Sequence, residues 1–119
     1  MKRDMDLARR ILLDIEECPD ADGQGWLQVK IEGHSEQVIS YHVMLLHEAG
    51  LIDARDLSDS DGADWRPTCL TWDGHEFLDA SREPGRWQKA KKVVMEKTGG
   101  LGFEALKQVL FQLLREALT

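Results

Sequence analysis

At 119 residues, with 42% hydrophobic and 31% charged side chains, the chain is long enough for one domain that buries its own core without metal or disulfide staples. No stretch nears the roughly 18 to 20 apolar residues of a membrane span, and the start MKRDMDLARR is charged where a secretory leader is apolar, so a cytoplasmic protein with no membrane partner is expected. The net charge of −7 excludes a broadly basic surface, so any nucleic-acid contact has to come from a local face.

Cys18 and Cys69 are the only cysteines. With no CxxC and no leader, they read as two small reduced side chains in the interior, although a disulfide between them stays open.

Residues 4–18 are expected to form a first helix. Ala8, Ile11, Leu12 and Ile15 make one apolar stripe, Asp4 and Asp6 suit the positive end of the dipole, and Pro19 stops the run. Residues 19–25 (PDADGQG) form a loop. In residues 26–32, Leu27, Val29 and Ile31 alternate with Gln28, Lys30 and Glu32, which predicts a strand pairing with a later hairpin. Ser35 caps a second helix reaching Ala49, with Val38, His42, Leu45, Leu46 and Ala49 inward and Gly50 as the stop.

Leu51 and Ile52 open a short strand, residues 53–64 form an acidic hairpin tip, and residues 68–72 return. Asp73 caps a third helix with Phe77 and Leu78 inward. Pro84 starts a fourth whose apolar side is Trp87, Ala90 and Val94. Gly99, Gly100 and Gly102 break it, and residues 103–118 form a last helix with Phe103, Leu106, Leu110, Leu113 and Ala117 on one side. The fold class is therefore α+β, mainly helical, with a small antiparallel sheet and additional C-terminal helices. We read residues 1–119 as one domain, with a core over about 4–82 and a helical extension over about 84–119.

The order helix, strand, helix, acidic hairpin, helix resembles a winged helix. Residues 41–52 (YHVMLLHEAGLI) resemble the recognition-helix end of winged-helix regulators of the arsenic-repressor and multiple-antibiotic-resistance type. Residues 70–78 (LTWDGHEFL) resemble the last wing strand turning into the next helix. With the opening MKRDMDLARRILLDIE, both pieces also resemble a family of small uncharacterised proteins of bacteria and their phages. The resemblance implies a winged-helix-like protein acting as a DNA-associated transcriptional regulator. The alternative is a non-DNA-binding protein-interaction module on a degenerate winged-helix scaffold, since a fold hosts many activities. A helix-turn-helix also needs a buttressing helix before the recognition helix, where residues 26–32 read as a strand.

The candidate recognition helix turns Gln37, Ser40, Tyr41 and Met44 outward. Glutamine and serine can read base edges, but the helix has no lysine or arginine to grip phosphate. The wing carries Asp53, Asp56, Asp59, Asp61 and Asp64 against Arg55 and Arg66, which reads as a solvated acidic hairpin. Basic residues gather elsewhere. Arg86, Lys89, Lys91, Lys92 and Lys97 face only Glu96 over residues 86–97, with Arg86, Lys89 and Lys92 toward one side; Lys2, Arg3, Arg9 and Arg10 add a second cluster. These are a solvated helix face or a nucleic-acid patch.

His75, Glu76 and Asp79 approach the H-E-x-x-H zinc signature but lack a third ligand, and the wing-to-helix turn explains them. His42 is expected to be a buried, hydrogen-bonded histidine. Ser35, Ser40 and Cys69 have no base or oxyanion arrangement beside them, and GGLG lacks the lysine of a phosphate loop. No catalytic set, metal site or cofactor is expected, and the chain is not read as an enzyme. The last helix carries a second apolar stripe, Phe111, Leu114 and Leu118, which predicts a homodimer, the rival reading being that the helix packs back on Ile11 and Ile15 and fills the core alone; the regulator resemblance also implies dimerisation through a terminal helix.

Overall fold

Asp4 accepts hydrogen bonds from the Asp6 and Leu7 amides, which caps α1 (Met5–Glu17). The computed structural model describes residues 1–119. α1 is followed by α2 (Glu36–Glu48), β1 (Ile52–Asp56), β2 (Trp65–Leu70), α3 (Trp72–Ser81), α4 (Pro84–Thr98) and α5 (Phe103–Ala117). Five helices and one two-stranded antiparallel sheet make an α+β fold that is mainly helical. Contacts divide the chain into two compact units, residues 1–75 and 76–119.

In the first unit α1 packs on α2 and β2, and α2 on both strands. Ile11, Leu12 and Ile15 of α1 meet this core fully buried, with Ile39, Val43 and Leu46 of α2 and with Leu51, Ile52 and Leu70. α2 begins at its expected cap, Ser35, whose hydroxyl accepts from the Val38 amide. Its inward stripe keeps the expected His42 and Leu46 but joins them to Ile39 and Val43 in place of Val38, Leu45 and Ala49. Ala49 is exposed, and Val38 and Leu45 are half-buried. Either stripe has helical spacing, and the more hydrophobic one takes the core.

The strand expected over residues 26–32 does not form. These residues have no regular structure and enter a turn at Glu32, yet they keep their alternation, with Leu27 and Val29 half-buried, Ile31 buried and the residues between exposed. They make one backbone bond to the sheet, from the Leu27 amide to the Pro67 carbonyl at 2.8 Å. The reason lies in β2. A residue's N–H and C=O point to the same strand edge, so residue 67 would have to donate the return bond, and proline has no N–H. The next donor on that edge, the Trp65 amide, is taken by the Ser40 hydroxyl at 2.8 Å. A proline inside a strand is tolerated because this edge lies away from β1.

Pro67 also hides the start of β2, which runs from Trp65 to Leu70 rather than over residues 68–72. Residue 68 is the extra one in a bulge, since Asp53 pairs with Cys69 and Ala54 with Pro67. α3 is capped by Thr71 and not by Asp73. The Thr71 hydroxyl accepts from the Gly74 amide and donates to the Gly50 carbonyl at 2.6 Å, joining the end of α2 to the start of α3.

In the second unit α4 packs on α5. Trp87, Ala90 and Val94 are buried as expected, with Leu106 and Leu110 from α5. The Phe77 ring meets Trp87 edge-on at 6.3 Å and Phe103 at 5.3 Å. Ala117, expected inward, is exposed.

Glu83 caps α4, with Pro84 in the first turn, accepting from the Gly85 amide at 2.8 Å and the Arg86 amide at 2.6 Å. These backbone bonds hold the Glu83 carboxyl below its ordinary pKa. The cap's contribution is therefore complete above the ordinary glutamate range and is lost as pH falls through the lower folded value. Glu83→Gln should flatten that portion of the acid-unfolding curve read by circular dichroism. An unchanged curve would mean that the cap does not contribute.

Candidate interaction surfaces

One residue of the α2 face expected to read DNA is closed over by the fold. Ser40 was expected outward, yet it is 6% exposed. Its hydroxyl accepts from the Trp65 amide, which locks the hairpin across the middle of α2. Serine fits there because it is small and carries the acceptor that the unpaired Trp65 N–H needs. Gln37 remains exposed, and Tyr41 and Met44 are half-buried.

The same packing makes a cleft of about 300 Å³ between the first turns of α2, residues 27–29 and the hairpin. Leu27, Val29, Ile39 and Pro67 supply its apolar lining, and Glu36, Asp59, Asp61 and Asp64 its carboxylates. Arg66 answers one of them: its Nε and Nη2 donate to the Asp64 carboxylate at 3.0 and 3.1 Å, a pairing that raises the guanidinium pKa. The guanidinium lies 4.2 Å from the Trp26 ring centre. The cleft was invisible in the sequence because its walls come from three separated segments, one of them without secondary structure.

The hairpin tip is exposed from Asp59 to Ala63 and closes on itself through the Asp59 and Gly62 backbones. The Ser58 hydroxyl accepts from the Asp64 amide, and the Ser58 amide donates to the Asp56 carboxylate.

His42 is 1% exposed. Its Nδ1–H donates to the Val38 carbonyl and its Nε2 accepts from the Asp4 amide, each at 2.8 Å. That pair of partners defines the neutral Nδ1–H tautomer and makes the ring a tie between α1 and α2. This is the structural histidine expected from its place on the helix.

No three His, Cys, Asp or Glu side chains come together as a metal-ligand set. His75, Glu76 and Asp79 are all exposed. Cys18 and Cys69 are free thiols, each half-buried rather than fully inside. The Cys69 thiol points at the Asp53 carboxylate from 3.7 Å. No base stands beside the Ser35 hydroxyl, which is used as a helix cap.

On α4, Lys89 and Lys92 are exposed one turn apart, on the side opposite Trp87, Ala90 and Val94. Arg86 is half-buried and its guanidinium donates to the Ala80 carbonyl at 3.2 Å. Lys91 lies 5.6 Å from the Trp87 ring centre. On α5, Phe111 and Leu114 are half-buried and Leu118 is 80% exposed. Trp72, at the start of α3, is 78% exposed. No helix is long and apolar enough to cross a membrane.

The chain belongs to the family DUF2513, described as hypothetical protein, whose sequence profile matches residues 2–100. It is 37% identical over 119 residues to an uncharacterised protein of Haemophilus influenzae, covering the whole of both chains. The expected kinship with a small uncharacterised family therefore holds. No solved structure matches the chain.

Proposed function

We propose that this protein is a protein-interaction module on a winged-helix-like scaffold, with a core over about 4–82 and a helical extension over about 84–119, and that its partners include a second copy of itself. The reading rests on Ser40. In a winged helix that reads DNA, the middle of the second helix is open for the major groove. Here the hairpin is hydrogen-bonded across it, and carboxylates line the space beside Gln37. A transcriptional regulator working through Gln37, Ser40 and Tyr41 is the competing function, supported by the order of elements and opposed by this closure.

Self-association is assigned to α5. Phe111, Leu114 and Leu118 are spaced i, i+3 and i+7 and form a stripe beside the buried Leu106 and Leu110. An antiparallel crossing near Leu114 sets Phe111 of one copy against Leu118 of the other. One patch then covers itself twice, the commonest closed symmetry.

The expected result in light scattering at tens of micromolar is a dimer, which Leu114→Glu with Leu118→Glu turns into a folded monomer. A wild-type monomer, or a dimer that survives the double substitution, would remove the self-association arm. Fluorescence anisotropy with a library of 30-base-pair duplexes tests the other arm. Gln37→Ala with Tyr41→Ala should leave any duplex affinity unchanged, and a ten-fold loss would restore the regulator.

A further inference from the structure

We infer that the outer face of α4 binds the phosphate backbone of nucleic acid without reading sequence, through Lys89 and Lys92 with Lys97 on the flank. This surface goes beyond the proposed interaction module and does not depend on it. Charge is divided unevenly along the chain. Residues 1–75 hold seven basic and sixteen acidic side chains, whereas residues 76–119 hold eight basic and six acidic. Within the second unit the cations concentrate on α4.

Lys89, Lys92 and Lys97 are all exposed. None is paired with a carboxylate, while Arg10, Arg66 and Arg82 elsewhere each have one. Like charges one helical turn apart destabilise a helix by a few tenths of a kcal/mol, so Lys89 and Lys92 do not support α4, whereas Lys97 in its last turn suits the helix dipole. At about 1.5 Å of rise per residue, Lys89 and Lys92 are roughly 4.5 Å apart along the axis, close enough to act as one charge patch.

The surroundings choose among polyanions. A basic helix that lies on a membrane inserts its apolar face between lipids. The apolar face of α4, Trp87, Ala90 and Val94, is already buried, and the one large apolar side chain exposed on the helix, Met95, is too little to insert. Protein interfaces are depleted in lysine and take their binding energy from tryptophan, tyrosine and arginine. Here Trp87 is buried and the Arg86 guanidinium is held by the Ala80 carbonyl. What is left is compact, solvated ammonium groups on flexible stems, which suit phosphates spaced along a strand. The net charge of −7 keeps the contact weak and confined to this helix.

The test uses the full chain and a labelled 30-base-pair duplex of mixed sequence in anisotropy titrations over a range of sodium chloride. Two to three phosphate contacts give a log–log salt slope of about −2 to −3. Affinity should therefore fall roughly ten- to thirty-fold between 50 and 150 mM salt, and scrambling the duplex should change it less than two-fold. Lys89→Glu with Lys92→Glu should weaken binding at least ten-fold at 50 mM and bring the slope to about −1 or shallower. Lys89→Gln with Lys92→Gln should produce the same change in slope, and both variants should melt like the wild type because neither side chain is packed. No detectable binding at 50 mM salt overturns the assignment. So does binding that both variants retain, or stronger retention on vesicles containing phosphatidylserine than on the duplex.

Discussion

Gly74→Ala should destabilise the fold by about 2–4 kcal/mol, the reverse of what the same change does in an ordinary helix. Alanine is favoured over glycine inside a helix by about 1 kcal/mol, so propensity alone predicts a gain. Position 74 lies in the first turn of α3, directly under the backbone of Leu51. An added Cβ would fall onto the Leu51 carbonyl oxygen, with the carbonyl carbon 3.0 Å away. That carbonyl cannot swing aside freely, because it accepts the Thr71 amide at 3.1 Å. Nor can the start of α3 retreat easily, because the Thr71 hydroxyl holds the Gly50 carbonyl and the Gly74 amide at once. The methyl group therefore has to push aside one of a pair of segments tied by two hydrogen bonds, with a third fixing the Thr71 hydroxyl to the first turn of α3. Thermal unfolding should show the midpoint lowered by roughly 10 °C. Gly100→Ala is the control: no atom lies within 4 Å of its Cβ position and it should move the midpoint little. A Gly74→Ala protein as stable as the wild type would show that the segments are not held together as described.

Gly74 also shows where sequence reading stops. Its motif, LTWDGHEFL, signals a strand turning into a helix, and the turn is there. A glycine inside a helical pattern signals close approach of another backbone, but only the fold shows that the approaching group is Leu51.

Much of the helical structure was legible for a plain reason. α1, α4 and α5 each show a 3.6-residue apolar stripe bounded by a cap or a stop, and local rules suffice for such segments. In the sheet, local and non-local signals disagree. Residues 26–32 alternate correctly between the core side and solvent, so their burial was readable. Whether they enter a ladder depends on the donor at residue 67, forty positions away, and proline withholds it. Ser40 failed for a related reason: α2 has two overlapping apolar stripes, and shifting from one to the other turns Ser40 from solvent to the hairpin. The exposed groups of α4 and α5 were legible as patterns, since charge and hydrophobicity that no neighbour claims keep the spacing of the helix that carries them.

Replacing His42 by alanine should cost about 3–4 kcal/mol, among the largest losses for any single side chain in the first unit. Two effects add. The ring is buried to 1% exposure, so truncation opens a cavity where α1 and α2 meet. The substitution also leaves the Val38 carbonyl and the Asp4 amide without their 2.8 Å partners. Val38 already lies within helical bonding, whereas the Asp4 amide precedes α1 and has no carbonyl to turn to. Losing its acceptor loosens the residue whose carboxylate caps the helix. The damage should therefore spread from α2 to the start of α1. His42→Leu separates the two effects, because it fills most of the space and restores neither bond. We expect it to recover about half of the lost stability, while hydrogen exchange at the Asp4, Asp6 and Leu7 amides stays as fast as in the alanine variant. His47→Ala is the comparison, since that ring is exposed and its contact with the Ile52 carbonyl is long at 3.4 Å; it should cost less than about 1 kcal/mol. If His42→Leu instead protects the Asp4 amide as well as the wild type does, the ring is only filling space, and the tie between α1 and α2 lies elsewhere.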